Sequence, residues 1–259
     1  MRRGRALALL GALALAGLVA GVAVGSVPIP PGRLLAVLLS DDRSTEALIV
    51  WELRLPRALT AFAVGGALAL AGALIQVLLR NPLGDPYVLG VSGGASAAVL
   101  AALLVGLPVA WQPGLAFLGA AFSMAVVFAL GRRAGVLGAE RLLLTGVVVA
   151  TGWAALIGFA LSVAPPAQLP GMLFFLMGDL AWTSQPALLW AALLLAVAAA
   201  LGLSRRLDVL QLSPLKAASL GVAVAPTRWM LFGLAGACTS LVVAQAGSIG
   251  FVGLMVPHA

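Results

Sequence analysis

Arg80-Asn81-Pro82-Leu83-Gly84-Asp85-Pro86-Tyr87-Val88-Leu89-Gly90-Val91-Ser92-Gly93-Gly94-Ala95-Ser96 separates two long apolar runs, and its reading decides the fold. It holds two prolines, four glycines and the chain's only tyrosine. Pro82 and Pro86 cannot continue a helix, and each turns the residue before it away from helical dihedrals. The apolar run ending near Leu79 therefore stops here, and a helix restarts near Ser92 among small residues. A polar, glycine-rich re-entry is costly in lipid and is tolerated only where protein or water covers it. The stretch is thus a candidate working part on physical grounds alone.

Composition sets the solvent. Of 259 residues, 63% are hydrophobic and 9% charged, against roughly 25% charged in a soluble domain. The bilayer is the only medium that suits such a chain. Cys238 is the single cysteine and His258 the single histidine, so neither a disulfide framework nor a zinc or haem site is expected within the chain. Nothing in it points to nucleic acid.

Outward from the central stretch, apolar runs long enough to cross a hydrocarbon core of about 30 Å recur along the whole chain. The first follows Arg2, Arg3 and Arg5 and covers 6–27, too long for the roughly 7–15 apolar residues of a cleaved leader. Pro28 to Glu52, with Asp41, Asp42, Arg43 and Glu46, reads as an external loop. Further spans are expected at 58–79, 91–109, from Gly114 to Leu130, and at 142–163, 186–203 and 229–246. Met172 to Leu176 suggests a short helix along the membrane, and Gly250 to Val256 begins an eighth span. The fold expected is all-α: one polytopic transmembrane helix bundle over 1–259, with seven full spans plus the start of an eighth.

The positive-inside rule orients it. With the N-terminus in the cytoplasm, Arg80, Arg132, Arg133, Arg141, Arg205, Arg206, Lys216 and Arg228 join the first three arginines inside. The outside holds only Arg33, Arg43, Arg54 and Arg57. The central stretch then lies at the cytoplasmic face.

Several features carry or exclude chemistry. No Gly-x-x-x-x-Gly-Lys-Ser/Thr loop occurs, so the chain has no evident means of binding ATP. Acids and bases for a proton relay are almost absent from the spans, against an ion-coupled carrier. Gly146, Ala150, Ala154, Gly158 and Ser162 form a four-residue ladder of small residues, suited to close helix packing within the chain or between copies. Gln76 and Gln245 are polar groups inside spans, fit to face a bundle interior or a water path. Ser213-Pro214 starts a short amphipathic helix that ends at Leu220-Gly221 on the basic face, suited to a cytoplasmic partner or to headgroups.

Gly90-Val91-Ser92-Gly93 also matches the serine motif of rhomboid-like intramembrane proteases, and Gly90-x-Ser92-x-Gly94 the nucleophile elbow of hydrolases. A serine nucleophile needs an oriented base within hydrogen-bond reach. Asp179 or Asp208 and His258 follow in hydrolase order, but His258 stands at the chain end behind Pro257. The structural reading is that Ser92 caps a helix start. A scaffold that neither transports nor catalyses is the third reading.

Arg54-Leu55-Pro56-Arg57, Gly72 to Gln76 running into Asn81 to Ala95, Leu142 to Val147, Leu176-Met177-Gly178, Leu210 to Gly221 and Gly247 to His258 together resemble the FecCD-type permeases of ATP-binding cassette importers. These blocks cover nearly the whole chain in order. The resemblance implies an importer subunit for ferric siderophore, haem or cobalamin in a bacterial or archaeal cytoplasmic membrane. It implies a ten-span homodimer with its pathway on the dimer axis, no catalysis in this chain, and ATP and magnesium held by two cytoplasmic partner subunits. Arg54 and Arg57 would receive an extracytoplasmic substrate-binding protein. Asn81, Pro82 and Leu83, with Ala139 and Glu140, would form the cytoplasmic gate. Leu210, Gln211, Pro214, Lys216, Ala217, Ala218, Leu220 and Gly221 would couple to the ATP-binding subunit. The helix of Gly146, Ala150, Ala154 and Gly158 would line the interface and pathway. The family continues past Pro257-His258 with two to three spans. The sequence therefore reads as truncated, and the 259-residue form alone is expected not to transport.

Overall fold

The computed structural model describes residues 2–39, 44–133, 136–137, 139–180, 186–212 and 214–258. Its helices, in chain order, are α1 (Arg2–Ala23), α2 (Pro31–Leu39), α3 (Thr45–Leu48), α4 (Leu55–Leu79), α5 (Val91–Leu104) and α6 (Gln112–Gly131). After them come α7 (Ala139–Val163), α8 (Leu169–Met177), α9 (Pro186–Leu212), α10 (Pro214–Ser219), α11 (Val224–Ala246) and α12 (Val252–Met255). A wide helical turn over Ile49–Arg54 joins α3 to α4 without a break. The connection before α7 carries a small hairpin in which Arg132–Arg133 pairs antiparallel with Val136–Leu137.

Every expected span falls on a helix. Among the described residues five helices are long and apolar enough to cross a membrane: Thr45–Leu79, Val109–Gly131, Glu140–Val163, Pro186–Gln211 and Val224–Ala246. Ala8–Ala23 and Val91–Leu104 are apolar but shorter. The third expected span is thus cut from 91–109 to 14 residues, about 21 Å of helix. Gly106, at φ 73°, and Pro108 end it early.

The expected loop from Pro28 to Glu52 is also corrected, since it holds α2, α3 and the wide turn. Leu34 with Val37, and Ala47 with Val50, are spaced one helical turn apart and buried against Val22 and Ile29. Asp41, Asp42 and Arg43 lie outside the described residues. The sixth span runs past Leu203 to Leu212, because Arg205, Arg206 and Asp208 are exposed and do not themselves stop a helix.

The core is built by α4 and α11, whose apolar windows are 56% and 61% buried, against 11% for α7 and for α9. Leu68, Ile75, Leu89, Val99 and Leu231 are among its fully enclosed side chains. The periphery is apolar instead of polar: Leu118, Phe122, Phe159, Leu195 and Leu201 all face outward. A bundle with an apolar outside is one that lipid solvates.

Candidate functional site

The central stretch is a sequence of side-chain-stapled turns. Arg80 closes α4 in the left-handed region, φ 50° and ψ 37°, and the Asn81 N–H bonds back to the Gln76 carbonyl at 3.2 Å. Pro82 then blocks any continuation. The Asn81 side-chain oxygen accepts from the Leu83 N–H at 2.9 Å, and the Asp85 carboxylate accepts from the Tyr87 N–H at 2.7 Å. These are side-chain turns of the kind Asn and Asp favour, and the second opens a tight helical turn over Pro86–Leu89. Gly90, at φ 74°, supplies the left-handed residue from which α5 starts. Ser92 was expected to cap that start, but Gly90 holds the cap position and no side chain caps the helix. Burial pushes the Asp85 carboxyl up from its ordinary range, partly offset by its bond to the Tyr87 amide, and burial likewise pushes the Tyr87 phenol up.

Around this stretch the buried polar groups are satisfied by one another. The Ser123 hydroxyl of α6 donates to the Gly90 carbonyl at 2.7 Å, and the Trp153 indole of α7 donates to Ser123 at 2.8 Å. The Ser92 and Ser248 hydroxyls share a hydrogen bond at 2.8 Å, and the Ile249 N–H donates to the Tyr87 hydroxyl at 3.0 Å. Gly94 and Gly119 let α5 and α6 touch backbone to backbone, since a Cβ on either would overlap the other's carbonyl. Sequence reasoning missed Ser123, Trp153 and Ser248. A tryptophan in mid-span, away from its usual interfacial belt, was the one available signal.

A cleft of about 450 Å³ opens beside the stretch, lined by Gln76, Arg80, Asn81, Pro82, Gln211 and Pro257. It brings the expected gate residues Asn81 and Pro82 to Gln211 of the expected coupling segment. Leu83 projects outward, 68% exposed. The segment expected to couple contains the short helix the sequence predicts: α10 begins at Pro214 and its end is closed by Gly221, φ 81°. Ser213 lies outside the described residues. Leu210 and Ala217 are buried, while Lys216, Ala218 and Leu220 are exposed along with Gln211. Ala139 and Glu140 open α7 directly after the small hairpin, with Glu140 exposed.

Arg54 and Arg57 separate. Arg57 is exposed, but Arg54 is buried at 8% exposure. Its guanidinium donates to Val22 O at 3.2 Å, Ala23 O at 3.1 Å and, very closely, Val27 O. It thereby satisfies carbonyls that the end of α1 leaves without helical partners. Of the pair, Arg57 alone faces outward.

The small-residue ladder also divides. Four-residue steps on a 3.6-residue helix drift by about 40° each. Gly146 is accordingly buried, where a Cβ would stand 2.9 Å from Leu89 Cα, while Ala150 is half-buried. Ala154 and Gly158 face outward, and a Cβ at Gly158 would meet nothing within 4 Å.

The protease reading loses its nucleophile. The partner of the Ser92 hydroxyl is another hydroxyl, that of Ser248, instead of a base. His258 sits in the terminal turn Val256–His258.

An apolar-surfaced helical bundle broken by buried, side-chain-stapled glycine turns is a polytopic membrane protein. The model of the FecCD transport family matches residues 12–259, and the chain belongs to that family. It is therefore a permease subunit of an ABC importer. It is 39% identical over 252 residues to the Fe(3+) dicitrate transport permease FecD of Escherichia coli strain K12, covering 95% of this chain and 77% of that one. It is 35% identical over 250 residues to the vitamin B12 import permease BtuC of Klebsiella pneumoniae, covering 95% and 73%. It is 34% identical over 213 residues to the molybdate import permease MolB of Haemophilus influenzae, covering 81% and 63%. A solved structure titled an inward-facing conformation of a metal-chelate type ABC transporter superposes with a TM-score of 0.84 at 30% identity, covering 98% of this chain and 80% of that one.

Proposed function

We propose that two copies of the chain form the pathway of a binding-protein-dependent importer for a metal chelate: ferric siderophore, haem or cobalamin. The observation that carries this reading is the cleft shared by Asn81, Pro82, Gln211 and Pro257. It sets the proposed gate against Gln211 at the end of α9, the part of the proposed coupling segment that leads directly into α10, so movement of α10 need pass only through that helix end to reach the gate. ATP and magnesium are held by two partner subunits on the basic face. That face is the cytoplasmic one, with the N-terminus on the cytoplasmic side of the bacterial or archaeal inner membrane.

The same reading assigns the remaining parts. Leu83 and the α7 start, Ala139 and Glu140, complete the gate. Arg57 receives the extracytoplasmic substrate-binding protein, with Arg54 bracing the corner that displays it. The outward face of α7, with Ala154 and Gly158, meets the second copy. The ferric dicitrate and vitamin B12 relatives favour a chelate, and the molybdate relative supplies the competing cargo.

The test is capture of the ATP-binding subunit by the detergent-solubilised chain, comparing the unaltered protein with Lys216→Glu plus Leu220→Glu. Both side chains are exposed on or beside α10, so the pair alters the surface without emptying the core. Loss of capture is expected. Undiminished capture would sink the coupling assignment.

A further inference from the structure

The segment from Gly247 to His258 is an arm of which the reading above uses only Pro257, as a wall of the cleft. It leaves α11 at Gly247, φ 70°, and runs without helix to Phe251, φ 67°, before the single turn of α12. Non-helical backbone surrounded by spanning helices must find acceptors and donors elsewhere. Residues 76–92 supply them. The Gln76 amide donates to the Gly253 and Leu254 carbonyls, each at 3.4 Å. The Tyr87 hydroxyl accepts from the Ile249 N–H at 3.0 Å, and Ser92 pairs with Ser248 at 2.8 Å. Gly72 presses against the Gly253 carbonyl so closely that a Cβ would overlap it. These partners run in opposite order along the two segments, as teeth of one zip.

The two ends of the zipped pair meet again at the cleft. Asn81 and Pro82 line one part of it and Pro257 another. Tyr87 is one connector between the two segments. Its backbone is held on both sides, by the Asp85 carboxylate on its N–H at 2.7 Å and by the Gly90 N–H on its carbonyl at 2.9 Å. Its ring has only two side-chain torsions. The Tyr87 hydroxyl thus ties the turn over Pro86–Leu89 to the Ile249 backbone.

We propose that Tyr87 is a positioning residue of the transport cycle: through the Ile249 amide, and with the Ser92–Ser248 pair, it fastens the 247–258 arm to the re-entry stretch. Asn81–Leu83 and Pro257 then move as one body. The inference rests on the gate reading of Asn81–Leu83. It adds a second wall to the gate and names the group that keeps the walls together.

The experiment uses an importer shown to transport, assembled in vesicles from a permease carrying these residues, its ATP-binding subunits and binding protein, and Tyr87→Phe, which deletes one oxygen and keeps the ring. Hydrogen exchange is followed in peptides covering 81–90 and 247–258, and substrate moved per ATP hydrolysed is measured alongside. Losing one buried hydrogen bond is expected to speed exchange in both peptides together by roughly fivefold to tenfold. Peptides from the middle of α4 and α11 should stay unchanged, and substrate per ATP should fall severalfold. Faster exchange in 247–258 alone, or an unchanged transport ratio, overturns the proposal. Leu83→Trp separates this from failure of the gate reading. If it alters leak while Tyr87→Phe leaves coupling intact, the gate stands and the fastening falls. If Leu83→Trp changes nothing, the gate reading falls and the positioning role with it. Should Tyr87→Phe fail to assemble, Ser248→Ala removes the second fastening and is read the same way.

Discussion

The Trp153 indole nitrogen lies 2.8 Å from the Ser123 hydroxyl, so the middle of α7 is hydrogen-bonded to α6 at the level where α5 begins. Ser123 passes the link to the Gly90 carbonyl. Trp153→Phe removes the donor and keeps most of the ring, and should cost about 1 kcal/mol. Trp153→Ala also empties the space against Gly93 and should cost about 3–5 kcal/mol. Denaturant titration of the purified permease in detergent checks both. A Phe variant as damaged as the Ala variant would assign the cost to something other than volume.

Arg54 and Arg57 should give opposite phenotypes. Arg54→Ala leaves the α1 carbonyls without their guanidinium and should cost about 1.5–3 kcal/mol, the range for bonds to a charged donor. Arg57→Glu is a surface change and should move stability by less than about 0.5 kcal/mol. It should nevertheless abolish stimulation of ATP hydrolysis by the binding protein. Thermal midpoints and stimulated ATPase rates, measured on the same preparations, separate bracing from docking.

Asp85 makes stability depend on pH with a definite sign. Burial raises its carboxyl pKa in the folded chain above the ordinary aspartate value. Between the two values the folded state binds more protons than the unfolded state, so stability falls as pH rises through that window. The contribution is fully present below the ordinary value and lost above the raised one. Asp85→Asn keeps an acceptor for the Tyr87 amide and cannot ionise. Its unfolding midpoint should vary less across the acidic range than that of the unaltered protein, and an identical pH profile would remove Asp85 as the source.

The two ends of the α7 ladder should respond to different assays. Gly146→Leu drives a side chain into the Val88–Leu89 backbone and should destabilise the single chain by several kcal/mol. At Gly158 an added Cβ meets nothing within 4 Å in the same chain and the site faces outward, so Gly158→Leu should leave stability near that of the unaltered protein. If α7 forms the dimer contact, Gly158→Leu should instead weaken association of two copies, read by native mass or cross-linking yield. Unchanged association would move the interface elsewhere.

Much of the architecture is legible in one dimension because lipid imposes a simple rule. Each apolar run must be a helix, and each cluster of proline, glycine and charge must interrupt one. That rule places the apolar helices, the break at Arg80–Ser96 and the short helix from Pro214. Its reach is limited at α2 and α3. Those short amphipathic helices sit among charges, and only burial against Val22 and Ile29 distinguishes them from a loop.

Tertiary structure alone decided what the polar side chains do. Ser92 reads as a cap or a nucleophile from its neighbours in sequence, yet its partner is Ser248, brought beside it by the return of the chain after α11. Arg54 reads as an exposed partner of Arg57, yet it is buried with its guanidinium on the Val22 and Ala23 carbonyls, because α1 ends where it can reach. The ladder on α7 reads as one stripe, but helical drift turns Gly146 inward and Gly158 outward. Sequence periodicity reports which face is apolar. Hydrogen bonds between residues far apart in sequence depend on three-dimensional proximity, which no local pattern encodes.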